Sequence, residues 1–79
     1  MTAEQISTVL LAQPFLPFTI HVADGRSFRV KHPDYVSRSP AGRIVIVYND
    51  DGGDGFSILD LRLITELEVH PEPPDQEAA

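Results

Sequence analysis

The segment from Phe18 to Val30 constrains the fold of this chain most strongly. Two runs in which apolar and polar residues alternate flank an Ala-Asp-Gly turn, which is the pattern of a β-hairpin. A two-residue loop would put the apolar residues of the second run on the opposite face from those of the first. A three-residue loop with Gly25 in the left-handed conformation puts both sets on one face. The sequence therefore predicts the second register, in which Ile20 pairs with Phe28.

The other face of this hairpin is predicted to be polar with a basic bias. Residues 26–43 carry five basic residues and one acid, a net charge of +4, whereas residues 50–79 carry nine acids and one arginine, a net charge of −8. Such an asymmetry bears on association rather than on fold. The basic groups are either solvated charges that keep the hairpin soluble or a face for an anionic partner. That candidate face comprises His21, Arg26, Arg29, Lys31, Arg38 and Arg43.

A short helix is predicted before the hairpin. Thr2 and Gln5 stand at the spacing of a capping box, and apolar residues then recur at helical spacing. Pro14 cannot continue the helix because it has no backbone donor. The helix is therefore expected over residues 3–12.

Further strands are predicted after the hairpin. Pro33 cannot donate to a ladder, so the second strand is expected to bend or end there. The continuous run of β-branched and aromatic residues at 43–48 favours a central strand buried on both faces. The remaining segments are a strand at 56–60, a short turn at 61–63 and a last strand at 64–69 with Glu66 and Glu68 outward.

The length of 79 residues predicts a single domain with a small core. We expect that domain over residues 1–69 and a disordered, acidic, proline-rich tail over residues 70–79. The chain has no cysteine, which excludes disulfides and thiolate sites. Its N-terminal segment lacks the charge and the apolar length of an export or membrane segment. We therefore expect a cytoplasmic protein without a membrane partner.

One helix followed by about five short antiparallel strands predicts a mainly β fold, closed as a small and strongly bent barrel. This order of elements resembles the Sm-like and Src-homology-3-like barrels. The motifs AQPF-x-PF at 12–18, DGR at 24–26 and V-x-HP at 30–33 are similar to those of a family of short uncharacterised bacterial proteins. That second resemblance implies no activity.

The acidic loop after the central strand resembles a calcium-binding loop only in part. Asp50, Asp54 and Gly55 fall at the first, fifth and sixth positions of that pattern. Gly52 stands at the third position and Leu61 at the twelfth, where a bidentate glutamate is needed. We therefore interpret this segment as a hairpin loop.

No other constellation predicts catalysis or a cofactor. His21, His32 and His70 lack the spacing of a helical metal site. No serine stands in a nucleophile elbow, and no glycine-rich loop leads into a helix. The prediction is a protein without enzymatic activity, metal or cofactor.

Two functions remain open from the sequence. The first is an interaction module that associates with itself through strand edges, or with another protein. The alternative is an Sm-like RNA-binding protein that holds single-stranded RNA on its basic hairpin face, for which the acidic tail competes.

Overall fold

The computed structural model describes residues 1–71 as one α-helix followed by six β-strands. Short 3₁₀ turns precede the third and the last strand. The prediction of a mainly β fold with one N-terminal helix is confirmed. The elements are α1 (Ala3–Leu10), β1 (Phe18–Val22), β2 (Ser27–Val30), β3 (Val36–Arg38), β4 (Ile44–Tyr48), β5 (Phe56–Asp60) and β6 (Ile64–Val69). The predicted tail lies outside the described residues from position 72 onward.

Helix α1 begins with the predicted capping box. The Gln5 amide donates to Thr2 Oγ1 at 3.1 Å, and the Thr2 amide donates to Gln5 Oε1 at 2.9 Å, so two amides at the helix start are satisfied. The helix ends at Leu10, two residues earlier than predicted. Pro14 restricts the backbone of Gln13 and so sets an upper limit for the helix, and its last amide to donate within the helix is that of Leu11, to the Ser7 carbonyl at 2.9 Å.

The first hairpin has the predicted register. Ile20 pairs with Phe28, and the Val22 amide donates to the Arg26 carbonyl at 2.9 Å. Gly25 has a φ of 95°, which a residue with a side chain rarely adopts. The three-residue loop therefore places the apolar residues of both strands on one face.

The strands form two antiparallel sheets of three strands each. Sheet A has the order β2-β1-β6, and sheet B has the order β3-β4-β5. The chain passes from one sheet to the other at a 3₁₀ turn over Pro33–Tyr35, where Pro33 cannot donate to a ladder. The described residues thus do not close into one sheet, and closure into a strongly bent barrel is not confirmed.

The core lies between the two sheets and helix α1. Phe18, Ile20 and Val45 are completely buried there. Both sheets and the helix contribute to this one cluster, so the helix closes the core that the sheets leave open. Its other members are Ile6, Leu10, Val22, Val30, Val36, Val47, Leu59, Leu61 and Ile64.

The prediction that the 43–48 strand is buried on both faces is wrong. Strand β4 is central in sheet B, and Val45 and Val47 on its inner face are buried. On its outer face, however, Ile46 is only half-buried and Tyr48 is 41% exposed. The single helix packs into the core, and no described element covers the other side.

Candidate interaction surfaces

The outer face of sheet A, here called the polar face, mixes basic and acidic groups. It consists of outward residues from all three strands, because β6 lies beside β1. Thr19 stands between Arg29 on one side and Glu68 on the other. The face comprises Thr19, His21, Ser27, Arg29, Glu66, Glu68 and His70.

Cross-strand hydrogen bonds already engage several groups of the polar face. His21 Nε2 lies 2.9 Å from Glu68 Oε1, and Thr19 Oγ1 lies 2.8 Å from His70 Nε2. The hydrogen bond from His21 holds the pKa of the Glu68 carboxyl below its ordinary value. His21 of the predicted anion-binding face is therefore partnered within the chain.

The two basic residues near the ends of β2 also have acidic neighbours. Arg26 Nε donates to Asp24 Oδ2 at 2.8 Å, and its guanidinium lies 5.5 Å from the centre of the Phe28 ring. The backbone hydrogen bond from Arg26 is the main reason that the pKa of Asp24 lies below its ordinary value. Lys31 Nζ lies 3.3 Å from Asp50 Oδ2. Both pairs are exposed and lower the positive potential that an anion would meet.

The last two predicted residues lie in or next to sheet B, apart from the polar face. Arg38 is in β3 and donates a hydrogen bond to Ser7 Oγ on helix α1. Arg43 lies before β4 and lines a shallow cleft with Asp60 and Arg62. The structure therefore brings His21 and Arg29 together on one face and distributes the other four basic residues around the domain.

The outer face of sheet B is apolar along β4 and most of β5 and is bordered by Ser37 and Asp60. We call its apolar part the apolar patch. Across β4 and β5, Ile46 pairs with Ile58 and Tyr48 pairs with Phe56. The Tyr48 and Phe56 rings are 5.9 Å apart, while Phe56 is 55% and Ile58 59% exposed. A contiguous group of exposed apolar side chains is typical of an interaction surface. Its members are the exposed Tyr48, Phe56 and Ile58 and the half-buried Ile44 and Ile46.

Sequence reasoning missed the apolar patch, although one signal could have revealed it. The chain offers a single short helix, and that helix is needed to close the core. A continuous apolar strand in such a chain has nothing to cover its second face. Counting the covering elements would therefore have predicted an exposed face on β4.

Strand β5 forms an open edge of sheet B beside this patch. The Asn49 amide donates to the Gly55 carbonyl, and the Leu61 amide donates to the Arg43 carbonyl, each at 3.0 Å. Backbone groups alternate between the two sides of an antiparallel strand. The amides and carbonyls of the intervening residues Phe56, Ile58 and Asp60 therefore point away from β4, to a side where no described strand pairs.

The segments that flank the two ends of β5 differ in charge. Its N-terminal end follows the acidic loop, which contains Asp50, Asp51 and Asp54. At its C-terminal end, Arg62 is highly exposed and donates to Asp60 Oδ2 at 2.8 Å. The side-chain hydrogen bonds from Arg62 lower the pKa of Asp60 to about 2.

Residues 1–71 also bear on metal binding and on insertion into a membrane. No three histidine, aspartate or glutamate side chains there cluster closely enough to hold a metal ion. None of the described residues forms a helix with the length and apolar character needed to cross a bilayer.

Comparisons of the chain with models of protein families, with curated proteins and with solved structures found no match. The resemblances drawn from the sequence motifs therefore stay predictions. Any inference about function has to come from the surfaces described above.

Proposed function

We propose that this protein is a non-enzymatic interaction module that associates with itself through the edges of its β-sheets. The observation that carries this proposal is the open edge of β5, which lies beside an exposed apolar patch. An open edge offers unpaired amides and carbonyls to another strand. When a second strand binds there, part of the adjoining apolar surface is removed from water, which lowers the free energy of the complex.

The small size of the domain supports the same proposal. A chain of 79 residues buries a smaller share of its surface than a larger domain does, so its core is marginal. Its exposed apolar side chains contribute nothing to the core of a single copy. Association would bury part of them and stabilise the folded state by mass action.

We also propose that the two sheets form the two halves of a strongly bent barrel in a cytoplasmic protein. Strands β2 and β3 are consecutive, and the five residues 31–35, which include the turn at Pro33–Tyr35, separate them, as in one strand with a sharp bend. The absence of cysteine suits a reducing compartment.

The proposal is tested by the absolute mass in solution, measured by light scattering over a range of protein concentrations at low and high salt. We expect a mass above that of one chain, increasing with concentration. A monomer under all conditions would overturn self-association. A discrete ring of about five to seven chains would favour head-to-tail edge pairing over a closed dimer.

RNA binding stays the alternative, and the exposed Arg29 and Arg43 favour it. Neither forms an ion pair with a carboxylate of residues 1–71. Its test compares RNA affinity at low salt for the full chain and for a chain that ends at Pro71. His70 must be kept because its amide donates to the Pro17 carbonyl at 2.8 Å. Tighter binding by the shorter chain supports the alternative, and no binding by either overturns it.

A further inference from the structure

We infer that the second copy docks on β5 with its own β5, antiparallel, with a twofold axis at Ile58. This inference rests on the proposed self-association and specifies the strand and the register. The result would be one six-stranded sheet with the order β3-β4-β5-β5-β4-β3.

The backbone of β5 suits this register. The amides and carbonyls of Phe56, Ile58 and Asp60 face the open edge, as the hydrogen bonds at both ends of the strand indicate. With the axis at Ile58, each Ile58 amide donates to the Ile58 carbonyl of the other copy. Phe56 then pairs with Asp60 of the second copy in the same way. All three residues satisfy their outward backbone groups, and none is left unpaired.

The side chains of β5 agree with the same arrangement. Ile58 and Phe56 lie on the outer face of sheet B, so the two Ile58 side chains contact each other across the axis. The two apolar patches become neighbours on one continuous sheet. Phe56 lies beside the Asp60–Arg62 pair of the second copy, where an arginine can pack on an aromatic ring.

Charges at the ends of β5 favour the antiparallel direction. The acidic loop precedes the strand, and Arg43 and Arg62 line one cleft at its other end. The twofold axis brings the loop that carries Asp54 beside the turn that carries Arg62 in the second copy, and this contact occurs twice. Like charges would meet if the two strands were parallel.

Pairing through the other open edges is less favourable. Two β6 strands would place Glu66 and Glu68 of each copy side by side, and two β2 strands would do the same with Arg29. Like charges directly opposite one another destabilise a sheet. Strand β3 has only three residues.

The joint is small. A strand of five residues is about 17 Å long, which places the interface at the low end of the range for specific complexes. We therefore expect a reversible dimer, and a covalent trap is the appropriate probe.

The natural absence of cysteine makes the trap simple. In an I58C variant the only thiols are those at the axis, about 5.5 Å apart between Cα atoms, which is within disulfide range. I46C is the matched control, since Ile46 is on the same face but in β4, three strand spacings or about 14 Å from its copy. V69C reports on the edge formed by β6, where Val69 is exposed.

The three variants are oxidised mildly at equal concentration, after circular dichroism and the mass measurement have shown that each folds and associates as the parent does. We expect I58C to form covalent dimers at least tenfold faster than I46C and V69C. If light scattering shows association but the three variants cross-link at equal rates, or V69C cross-links fastest, the β5 joint is overturned and self-association stands. If light scattering shows a monomer and the rates are equal, both self-association and the β5 joint are overturned.

Discussion

Sheets A and B share one core but differ on their outer faces. Each has three antiparallel strands and contributes buried residues to the same cluster. On the polar face of sheet A, side chains hydrogen-bond to one another, as in the His21–Glu68 and Thr19–His70 pairs. The apolar patch of sheet B, by contrast, leaves Phe56 and Ile58 more than half exposed. In a single copy, several groups of the polar face thus hydrogen-bond to one another, whereas the apolar patch keeps large apolar side chains in contact with water.

The largest expected effect is the difference in stability loss between substitutions on the inner and on the outer faces of the two sheets. Ile20 on the inner face of sheet A is completely buried, whereas Ile58 on the outer face of sheet B is 59% exposed. I20A should lower the free energy of unfolding by about 2–5 kcal/mol because it leaves a cavity. I58A should lower it by about 0.5 kcal/mol or less in the monomer. Urea unfolding at low protein concentration measures both, and equal losses would contradict this division.

The next effect is the difference in self-association between substitutions on the two outer faces. I58K places a charge on the apolar patch and sets two lysines opposite each other at the proposed axis, which should weaken self-association tenfold or more, about 1.4 kcal/mol. The matched control is E66K, which places the same charge on the polar face and should leave association within about twofold of the parent. Sedimentation over a concentration range measures both constants. Loss of association in E66K alone would place the joint on sheet A.

The third effect concerns the loops that connect the strands of each sheet. Gly25 in the tight loop of sheet A and Gly52 in the longer loop of sheet B both have positive φ, at 95° and 83°. Nothing lies within 4 Å of an added Cβ at either position, so only backbone strain matters. G25A should cost about 1–2 kcal/mol, and G52A should cost less because a longer loop can relax. Thermal unfolding compares the two, and an equal or larger loss in G52A would be evidence against this account.

The smallest effect is a dependence on pH. Arg62 lowers the pKa of Asp60 from its ordinary 3.8 to about 2, so the ionised carboxylate stabilises the folded state above the unfolded pKa. That stabilisation is lost as the pH falls through the folded value. D60N should therefore melt at a lower temperature than the parent near neutral pH, and the gap should close between about pH 4 and pH 2.

The matching change on sheet A is E68Q. The hydrogen bond from His21 also lowers the pKa of Glu68, so this gap should likewise shrink as the solution is acidified below the ordinary range of a glutamate. Thermal melting points of the parent and both variants over the acid range provide the measurement. A gap that stays constant with pH would show that charge is not its cause.

The register of the first hairpin could be predicted from the sequence because two local signals restrict it together. Alternation sets which residues of each strand share a face, and Gly25 supplies the left-handed position that a three-residue loop needs. Both signals lie within a few residues of each other, so no information from the rest of the fold was required.

The surroundings of the basic residues could not be predicted in this way. Glu68 lies 47 positions from His21 in the sequence, and only the pairing of β6 with β1 brings them together. Arg38 faces a helix that precedes it by about thirty residues for the same kind of reason. Local spacing identified the charges, while the order of strands in the sheets decided their neighbours.

The burial of β4 could not be predicted for a different reason. A continuous apolar strand has the same local pattern whether its second face meets a helix, another copy or water. What covers it depends on how many elements the chain has left, and α1 is already used by the core. The wrong prediction therefore concerns the face that adjoins the β5 edge, through which association is proposed.

Amide hydrogen exchange as a function of protein concentration tests the β5 joint most directly. The amides of Phe56, Ile58 and Asp60 point to the open edge of β5, as those of Leu67 and Val69 point to the open edge of β6. We predict that exchange at the three β5 amides slows as concentration increases about a hundredfold, while the two β6 amides do not change. Slowing at β6 instead, or no dependence on concentration at either edge, would contradict the account.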